Sequence, residues 1–317
     1  MKKQLQQICN NKSRNSGMPF LFILTLVLAS IIAQAQTAYI TNNGDSTVTV
    51  INVATNTVVD TIIVGHNPMG VSVSPDGNKV YVTANDSVSV INTATNTVSS
   101  RIKVGRGPLG LSVSPDGSKV YVANFSDNTV SVINTATDEV TYTIPVGVYP
   151  EGITVSPDGS KVYVANNTSP VNIINTNTNA VSNINGFGGS SAIAVSPDGS
   201  KIYVATGGVY VINAATDSIL TVITVGAEPA AIAITPDGST VYVADALDST
   251  VSVINTVTDS VSATIRVGYL LWGLSVSPDG SKVYVANTWD NSVCVINTAN
   301  NTVSDTIRVT LKVPAVK

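Results

Sequence analysis

The sequence contains little cysteine, histidine or charge. Its 317 residues include two cysteines (Cys9 and Cys294), one histidine (His66) and only 11% charged residues. A single histidine cannot build a multi-histidine copper or zinc centre, so this class of metal site is excluded. Haem ligation and Ser-His-Asp catalysis would both depend on His66, and no nucleophile motif stands beside it in the sequence.

The first 35 residues differ from the rest of the chain. Four basic residues precede an apolar run over residues 20–32, and Ala33-Gln34-Ala35 then places small residues where a signal peptidase cleaves. The run is shorter than the roughly 20 residues that a membrane-spanning helix needs. We therefore predict a secretory signal peptide over residues 1–35 and a mature chain that starts at Gln36; the alternative is an uncleaved anchor.

Removal of this leader would leave an acidic protein with a lone Cys294. The leader holds four of the 16 basic residues and none of the 20 acidic ones, so 12 basic residues would face 20 acidic ones. Without a basic run, the chain lacks the electrostatic footprint of a nucleic-acid binder. We expect an extracytoplasmic protein (secreted, periplasmic or at the cell surface) with no nucleic-acid partner, no intrachain disulfide and no membrane span after cleavage.

A unit of about 40 residues recurs along the chain, a period typical of propeller blades. Each unit has a Pro-Asp-Gly turn, a tyrosine-bearing strand and a strand that ends in Ile-Asn. The Pro-Asp-Gly prolines are Pro75, Pro115, Pro157, Pro197, Pro236 and Pro278. The tyrosines are Tyr39, Tyr81, Tyr121, Tyr163, Tyr203, Tyr242 and Tyr284.

One unit divides into four predicted strands, named A to D from the axis outward. In the third unit these are 110–114, 119–124, 129–134 and about 139–146. The alternation of β-branched residues excludes helical solenoids, and four strands with hairpin turns per period disfavour a parallel β-solenoid. We predict an all-β chain whose residues 36–317 form a single seven-bladed β-propeller of four-stranded antiparallel blades.

The strand count leaves one position to fill. Strands B, C and D of the first blade begin the chain and six complete sets follow, which gives 27 strands and lacks only a strand A. We expect residues 310–317 to supply a partial strand there. The ring would then be closed by N-terminal strands B, C and D together with this C-terminal strand.

The chain resembles the YVTN-repeat β-propellers, which include archaeal surface-layer-type and many secreted bacterial proteins. The namesake motif stands here as Tyr39-Ile-Thr-Asn42, recurs as Tyr-Val-Ala-Asn from Tyr121, Tyr163 and Tyr284, and departs from the pattern after Tyr81, Tyr203 and Tyr242. The resemblance covers residues 38–309. It implies the fold and does not specify an activity, because this architecture carries many functions.

The strand order predicts two different ends of the ring. The A–B and C–D turns, nearly identical in every unit, share one end; the variable B–C and D–A connections share the other. Aromatic and charged residues concentrate at the variable end, where loops on a rigid scaffold suit binding. The candidate binding residues there are Arg106, Phe125, Tyr149, Glu151, Phe187, Glu228, Tyr269, Trp272, Trp289 and Asp290. The alternative is that they fill space between blades or plug the central channel.

Other chemistry has weaker support. The B–C turns carry Asp45, Asp86, Asp127, Asp248 and Asp290, but one aspartate per blade serves a turn better than the convergent oxygens that calcium needs. Cys294 aligns with serines of other blades, which indicates a core position. We therefore expect no metal, no cofactor and no assigned catalytic residue.

Three functions remain open. The first is a secreted or cell-surface, non-enzymatic scaffold that binds an extracellular or cell-envelope protein or glycan through the variable end. The second is an extracytoplasmic propeller enzyme, such as a lactonase-like hydrolase, a lyase or a quinoprotein-like redox protein. For an enzyme, Glu151 and Glu228 are the carboxylates to consider. The third is a structural subunit of a surface layer.

Overall fold

Short strands rich in valine, threonine and serine follow one another along the chain, because β-branched side chains fit a pleated sheet. The computed structural model describes residues 23–24 and 36–309. In these residues 28 strands form seven sheets of four antiparallel strands, and no residue is helical. The predicted seven-bladed propeller is confirmed. No helix in this part of the chain has the length and hydropathy of a membrane span.

The blades follow one another in chain order. Blade 1 contains β1 (Ile23–Leu24), β2 (Thr37–Asn42), β3 (Thr47–Asn52) and β4 (Thr57–Ile63). Blade 2 contains β5 (Pro68–Val73), β6 (Lys79–Ala84), β7 (Ser87–Asn92) and β8 (Thr97–Lys103). Blade 3 contains β9 (Pro108–Val113), β10 (Lys119–Asn124), β11 (Thr129–Asn134) and β12 (Glu139–Pro145). Blade 4 contains β13 (Pro150–Val155), β14 (Lys161–Asn166), β15 (Val171–Asn175) and β16 (Val181–Ile184). Blade 5 contains β17 (Ala192–Val195), β18 (Lys201–Ala205), β19 (Val209–Asn213) and β20 (Ser218–Ile223). Blade 6 contains β21 (Pro229–Ile234), β22 (Thr240–Asp245), β23 (Thr250–Asn255) and β24 (Ser260–Arg266). Blade 7 contains β25 (Leu271–Val276), β26 (Lys282–Asn287), β27 (Ser292–Asn297) and β28 (Thr302–Arg308).

The first strand of each blade is the inner strand. From β5 to β25, the inner strands of successive blades contact one another and so surround the axis. In blade 3, β10 and β11 have the predicted bounds, whereas β9 begins at Pro108, two residues before the predicted start. The extra residues belong to the ladder because Pro108 pairs with Asn124 beyond a bulge.

The core lies between neighbouring blades. Tyr121 on the second strand of blade 3 is buried with Val130 and Ile144 of its own blade and with Ile153 and Val162 of blade 4. Burial raises the pKa of the Tyr121 hydroxyl to about 12, and the charge of Asp116 adds to the shift. The repeated tyrosine is therefore a packing residue.

The Pro-Asp-Gly turns and the turns after each Ile-Asn lie together at one end of the ring, as predicted. Thr135 Oγ1 of the C–D turn donates to the carbonyl oxygen of Gly117 in the A–B turn at 2.7 Å. Asp116 accepts hydrogen bonds from the Ser114 hydroxyl and the Ser118 amide, and these bonds hold its pKa below the ordinary value. Equivalent bonds recur in blades 2, 4, 5 and 7, which makes this end of the ring uniform.

Blade 7 packs directly on blade 1. Ile40 and Ile51 of blade 1 form one buried cluster with Tyr284 and Val295 of blade 7. At the rim of this contact, Lys282 Nζ donates to the Val53 carbonyl oxygen at 2.9 Å. The two ends of the repeat array therefore meet and the ring is continuous.

The inner strand of blade 1 comes from a different part of the chain than we expected. Ile23 pairs with Thr41 and Leu24 with Ile40, so β1 fills the position that the sequence assigned to a C-terminal strand. Residues 310–317, the predicted closing segment, lie outside the described residues. So does the rest of the predicted signal peptide.

Cys294 occupies a serine position, as its alignment predicted. Asn287 Nδ2 donates to Cys294 Sγ at 2.9 Å, and in blade 3 Asn124 Nδ2 donates to Ser131 Oγ at the same distance. Cys294→Ser should therefore change the free energy of unfolding by less than about 1 kcal/mol, because the hydrogen bond is retained. Urea denaturation of the two proteins measures this difference. A loss of several kcal/mol would contradict the interpretation of Cys294 as a simple serine replacement.

Candidate functional site

The variable end is the candidate site, and its loops are fixed to one another. In the loop before blade 3, the Arg106 amide donates to Asp127 Oδ2 at 2.8 Å, and Arg106 Nε donates to Asp127 Oδ1 at 2.7 Å. Both bonds hold the pKa of Asp127 below its ordinary value, and the bond from the Arg106 amide has the larger effect. In the loop before blade 6, Asp248 accepts a bond from the Ala227 amide in the same way. These aspartates thus attach the D–A loops to the B–C turns.

The carboxylates of this end do not converge on a common point. Over residues 23–24 and 36–309, no three histidine, cysteine, aspartate or glutamate side chains lie together in a way that could hold a metal ion.

The residue before several inner strands has a left-handed backbone. Tyr149 has φ 58°, Glu228 has φ 52° and Leu270 has φ 54°. Bulky residues seldom adopt this conformation, which persists only where the surroundings impose it and which clusters at functional loops. At Tyr149 the amide donates to Asn128 Oδ1 at 2.8 Å and the carbonyl accepts from the Asn167 amide at 2.9 Å. These loops are preorganised.

The second residues of five inner strands, β5, β9, β13, β21 and β25, lie at the variable mouth of the channel. An apolar group occupies part of this mouth: Met69 and Leu109 pack together, with Phe125 and Trp272 against them. Trp272 belongs to blade 7, whereas Met69 and Leu109 belong to blades 2 and 3. Because blade 1 lies between blades 7 and 2, the contact of Trp272 with this pair extends across the mouth. We call Met69, Leu109, Phe125 and Trp272 the mouth cluster.

The mouth cluster extends outward through an aromatic stack. The rings of Phe125 and Tyr149 lie with centroids 4.7 Å apart and planes 19° apart. The Tyr149 side chain remains 42% exposed. A flat aromatic surface therefore leads from the mouth to the outer part of the face over blades 3 and 4.

Glu151 marks the polar side of the mouth. It is the second residue of β13 and is buried, and its Oε1 accepts a hydrogen bond from Asn167 Nδ2 at 2.7 Å. Glu228, the other carboxylate considered for chemistry, is exposed in the loop before blade 6. The two groups therefore have very different environments.

Apart from Arg106, Glu151 and Glu228, described above, the predicted residues fall into three groups. Phe125, Tyr149 and Trp272 belong to one continuous apolar surface. Tyr269, Trp289 and Asp290 are exposed on the loops beside blade 7, Tyr269 with 58% and Trp289 with 54% of their surface accessible. Phe187 instead packs on Tyr210, with ring centroids 5.1 Å apart, and against the core between blades 4 and 5. Trp272 and Glu151 both lie on inner strands. For Trp272 this corrects the sequence-based prediction, which placed it in a D–A connection.

Sequence reasoning missed Met69 and Leu109. Both stand between a proline and a glycine, as Glu151 does, and this Pro-x-Gly triplet was the available signal. It also missed Ser46, whose Oγ lies 3.1 Å from His66 Nδ1 on the exposed surface. A hydroxyl and an imidazole on exposed loops, without a buried acid to orient the ring, make a weak case for a nucleophile.

The comparisons with known proteins agree with this architecture. A family model for YNCE-like β-propellers matches residues 80–174. That segment runs from the second strand of blade 2 to the third strand of blade 4, and the blades before and after it repeat the same strands and motifs. The described residues form a seven-bladed β-propeller, and residues 80–174 are similar to the YNCE-like family. This match supports the resemblance to YVTN-type propellers that the sequence motifs indicate.

The fold also resembles solved structures. Hydrazine synthase from Kuenenia stuttgartiensis aligns with a TM-score of 0.79 and 23% identity over 92% of this chain and 99% of that one. At this identity the likeness shows the fold alone. No curated protein matches the sequence.

Proposed function

We propose that this protein is a secreted or cell-surface binding scaffold, without enzymatic activity, that holds its partner on the variable end of the ring. The observation that carries the proposal is the continuous apolar surface from the mouth cluster to the Phe125–Tyr149 stack, borne on loops fixed by backbone hydrogen bonds. Rigid aromatic anchors on preformed loops lose little conformational entropy on binding.

Stacked aromatic faces beside hydrogen-bonding loops suit a glycan or an extended segment of an envelope protein. The acidic balance of residues 36–317 favours a neutral or basic partner over a polyanion. The left-handed residues at Tyr149 and Leu270 support the same proposal, because strained backbone is kept where it positions a functional surface.

The chain offers a direct test, because its only two tryptophans, Trp272 and Trp289, both belong to the candidate face. Tryptophan fluorescence, excited selectively over that of the tyrosines, therefore reports on that face alone. Titration with a panel of envelope oligosaccharides should shift the emission of the native chain. Envelope proteins, immobilised one at a time, should be screened for capture of the same chain. The Trp272→Ala, Trp289→Ala double variant should lose capture of the same probe by at least about tenfold, the loss of one anchor contact of about 1.4 kcal/mol.

The matched control is Val257→Ala, because Val257 is 87% exposed in a turn at the uniform end. Its capture should equal that of the native chain. The circular dichroism of every variant should also equal that of the native chain. Unchanged capture by the folded double tryptophan variant would show that the partner lies elsewhere.

A further inference from the structure

A lysine, an asparagine and an aspartate lie in contact where blade 7 packs on blade 1. Lys282 Nζ donates to Asn56 Oδ1 at 3.2 Å, and Asn56 Nδ2 donates to Asp305 Oδ2 at 2.9 Å. We propose that the Lys282 amine attacks the side-chain amide of Asn56 and that the two residues become joined by an isopeptide bond. This covalent modification links two side chains that lie more than 200 residues apart in the sequence.

The surrounding groups have the roles that this reaction needs. A neutral lysine amine is a nucleophile, and Cγ of an asparagine amide is the carbon that it attacks. The Tyr284 hydroxyl donates to Asn56 Oδ1 at 3.3 Å, where negative charge develops during the attack. Burial, and then the charges of Asp279 and Asp305, raise the pKa of Tyr284, so its hydroxyl keeps the proton that it donates.

The atoms of the reaction balance without an oxidant or a co-reactant. Lys282 loses one proton to water, and its neutral Nζ forms a bond with Asn56 Cγ. The attacking nitrogen then loses a second proton, which Asp305 accepts and passes to Asn56 Nδ2. The bond between Cγ and Nδ2 breaks, and ammonia leaves and takes up one proton from water. The products are the Lys282–Asn56 amide and one ammonium ion, and Asp305 returns to its starting charge.

The lysine and the asparagine are held in position for this step. Lys282 Nζ also donates to the Val53 carbonyl oxygen at 2.9 Å, and both Lys282 and Asn56 are half-buried. Nζ needs to move only from the amide oxygen that it contacts to the carbon bonded to that oxygen. Groups held in contact in this way react as if they were present at very high concentration.

The same three positions can be compared at all seven junctions between described blades. The first position opens the second strand of a blade and is lysine in five blades and threonine in blades 1 and 6. The second is the left-handed residue of the C–D turn in the next blade, which is asparagine at four junctions and aspartate at three. The third lies on the outer strand and is acidic only as Asp60 and Asp305. Among these seven junctions, only the one between blades 7 and 1 combines lysine, asparagine and aspartate.

Three other junctions have aspartate in place of the asparagine. Between blades 5 and 6, Lys201 Nζ lies 2.8 Å from Asp259 Oδ2. An ionised carboxylate resists attack by an amine because of its negative charge. These junctions therefore form ion pairs and no isopeptide bond.

The junction between blades 3 and 4 is an internal control. It has Lys119 and Asn179 at the first two positions. Its outer strand carries Tyr142 opposite Val132, where blade 7 carries Asp305 opposite Val295. This junction therefore has the nucleophile and the amide but lacks the carboxylate that transfers the proton.

Mass spectrometry of the purified full chain tests the proposal. The mass should be lower, by one ammonia, than the mass calculated from the residues that the chain contains. Proteolysis should release a branched peptide that joins Lys282 to Asn56, while Lys119 and Asn179 should appear in unmodified peptides. A folded protein with unmodified Lys282 and Asn56 would overturn the proposal.

Two variants separate the proposed bond from other losses of ammonia. Lys282→Arg keeps the positive charge and removes the nucleophile, so the full mass should return. Asp305→Asn should slow the appearance of the branched peptide by about 100-fold, the lower end of the effect of a general acid–base group. The matched control Lys201→Arg should form the bond as the native chain does. Circular dichroism should show that every variant is folded.

Two results with these variants would overturn the proposal. If the loss of ammonia persists in Lys282→Arg, then Asn56 cyclises on its own backbone and no bond to Lys282 is involved. If the branched peptide forms at the native rate in Asp305→Asn, then Asp305 does not transfer the proton.

A third variant should create a second bond. Tyr142 is 58% exposed, so Tyr142→Asp can supply a carboxylate between blades 3 and 4 without disturbing the core. This variant should lose a second ammonia and yield a branched peptide that joins Lys119 to Asn179, whereas Tyr142→Asn should not. A folded Tyr142→Asp protein without the second bond would contradict the carboxylate as the group that decides which junction reacts.

Discussion

Replacing Gly70 with alanine is expected to lower the free energy of unfolding by about 3 kcal/mol, the upper part of the range for overpacking a tight contact. A Cβ at this position would lie 2.3 Å from the Leu109 carbonyl oxygen and 3.4 Å from the Gly110 Cα. Both neighbours are backbone atoms of the next inner strand, so no side-chain rotation relieves the contact. The inner strands of blades 2 and 3 would have to move apart.

That movement would also break a bridge between the blades. Thr83 Oγ1 accepts a hydrogen bond from the Gly70 amide at 2.7 Å and donates one to the Leu109 carbonyl oxygen at 2.8 Å. Since Met69 and Leu109 belong to the mouth cluster, Gly70→Ala should weaken partner capture as well as stability. Thermal unfolding followed by circular dichroism, together with the fluorescence titration, measures both effects.

Gly207 provides the matched control. A Cβ there would meet no atom within 4 Å. Gly207→Ala should leave stability unchanged or raise it by about 0.5 kcal/mol, because alanine has less freedom in the unfolded chain. Equal melting temperatures for Gly70→Ala and Gly207→Ala would show that the inner strands of blades 2 and 3 are less closely packed than the structure indicates.

The blades could be predicted because each one is specified locally. The Asp116-Gly117 turn, the alternation in 129–134 and the Asn134 that ends it act within a few residues of each other, and seven copies repeat them. Strands β10 and β11 accordingly have the bounds that the sequence predicts.

The mouth could be predicted less well because bulges interrupt the two-residue period there. The ladder skips Trp272 in blade 7, so alternation along 271–276 does not give the direction of its side chain. The same irregularity hid Met69 and Leu109, which alternation assigns to an ordinary core strand. Phe187 shows the opposite difficulty: a loop aromatic looks exposed in sequence, but Tyr210 of the neighbouring blade supplies a packing partner.

Asp245→Asn is expected to raise the free energy of unfolding at pH 7 by about 1–3 kcal/mol, the scale of an imperfectly compensated buried polar group. Asp245 stands where blades 1, 3, 4 and 7 have Asn42, Asn124, Asn166 and Asn287. It is fully buried, and this burial raises its pKa above the ordinary value of 3.8 although Ser252 and Thr250 donate hydrogen bonds to it. Asparagine keeps the shape and removes the charge.

The pH dependence distinguishes this cause from a general packing effect. The carboxyl of Asp245 ionises at a lower pH in the unfolded chain than in the folded chain. The loss of folding stability caused by burying its charge is therefore absent below pH 3.8. This loss grows as the pH rises through the raised pKa of the folded state and is complete at neutral pH. The gain from Asp245→Asn should therefore be present at pH 7 and disappear near pH 3. Urea denaturation across this range measures it.

Asn124→Asp in blade 3 is the reciprocal variant, because Thr129 and Ser131 surround Asn124 as Thr250 and Ser252 surround Asp245. At pH 7, Asn124→Asp should lower the free energy of unfolding by about as much as Asp245→Asn raises it. This decrease should disappear near pH 3. If Asp245→Asn destabilises the protein at neutral pH, then the buried carboxylate has a favourable partner in the folded ring. In that case the variable end of blade 6 would be a polar site, in contrast to the apolar mouth on blades 7, 2 and 3.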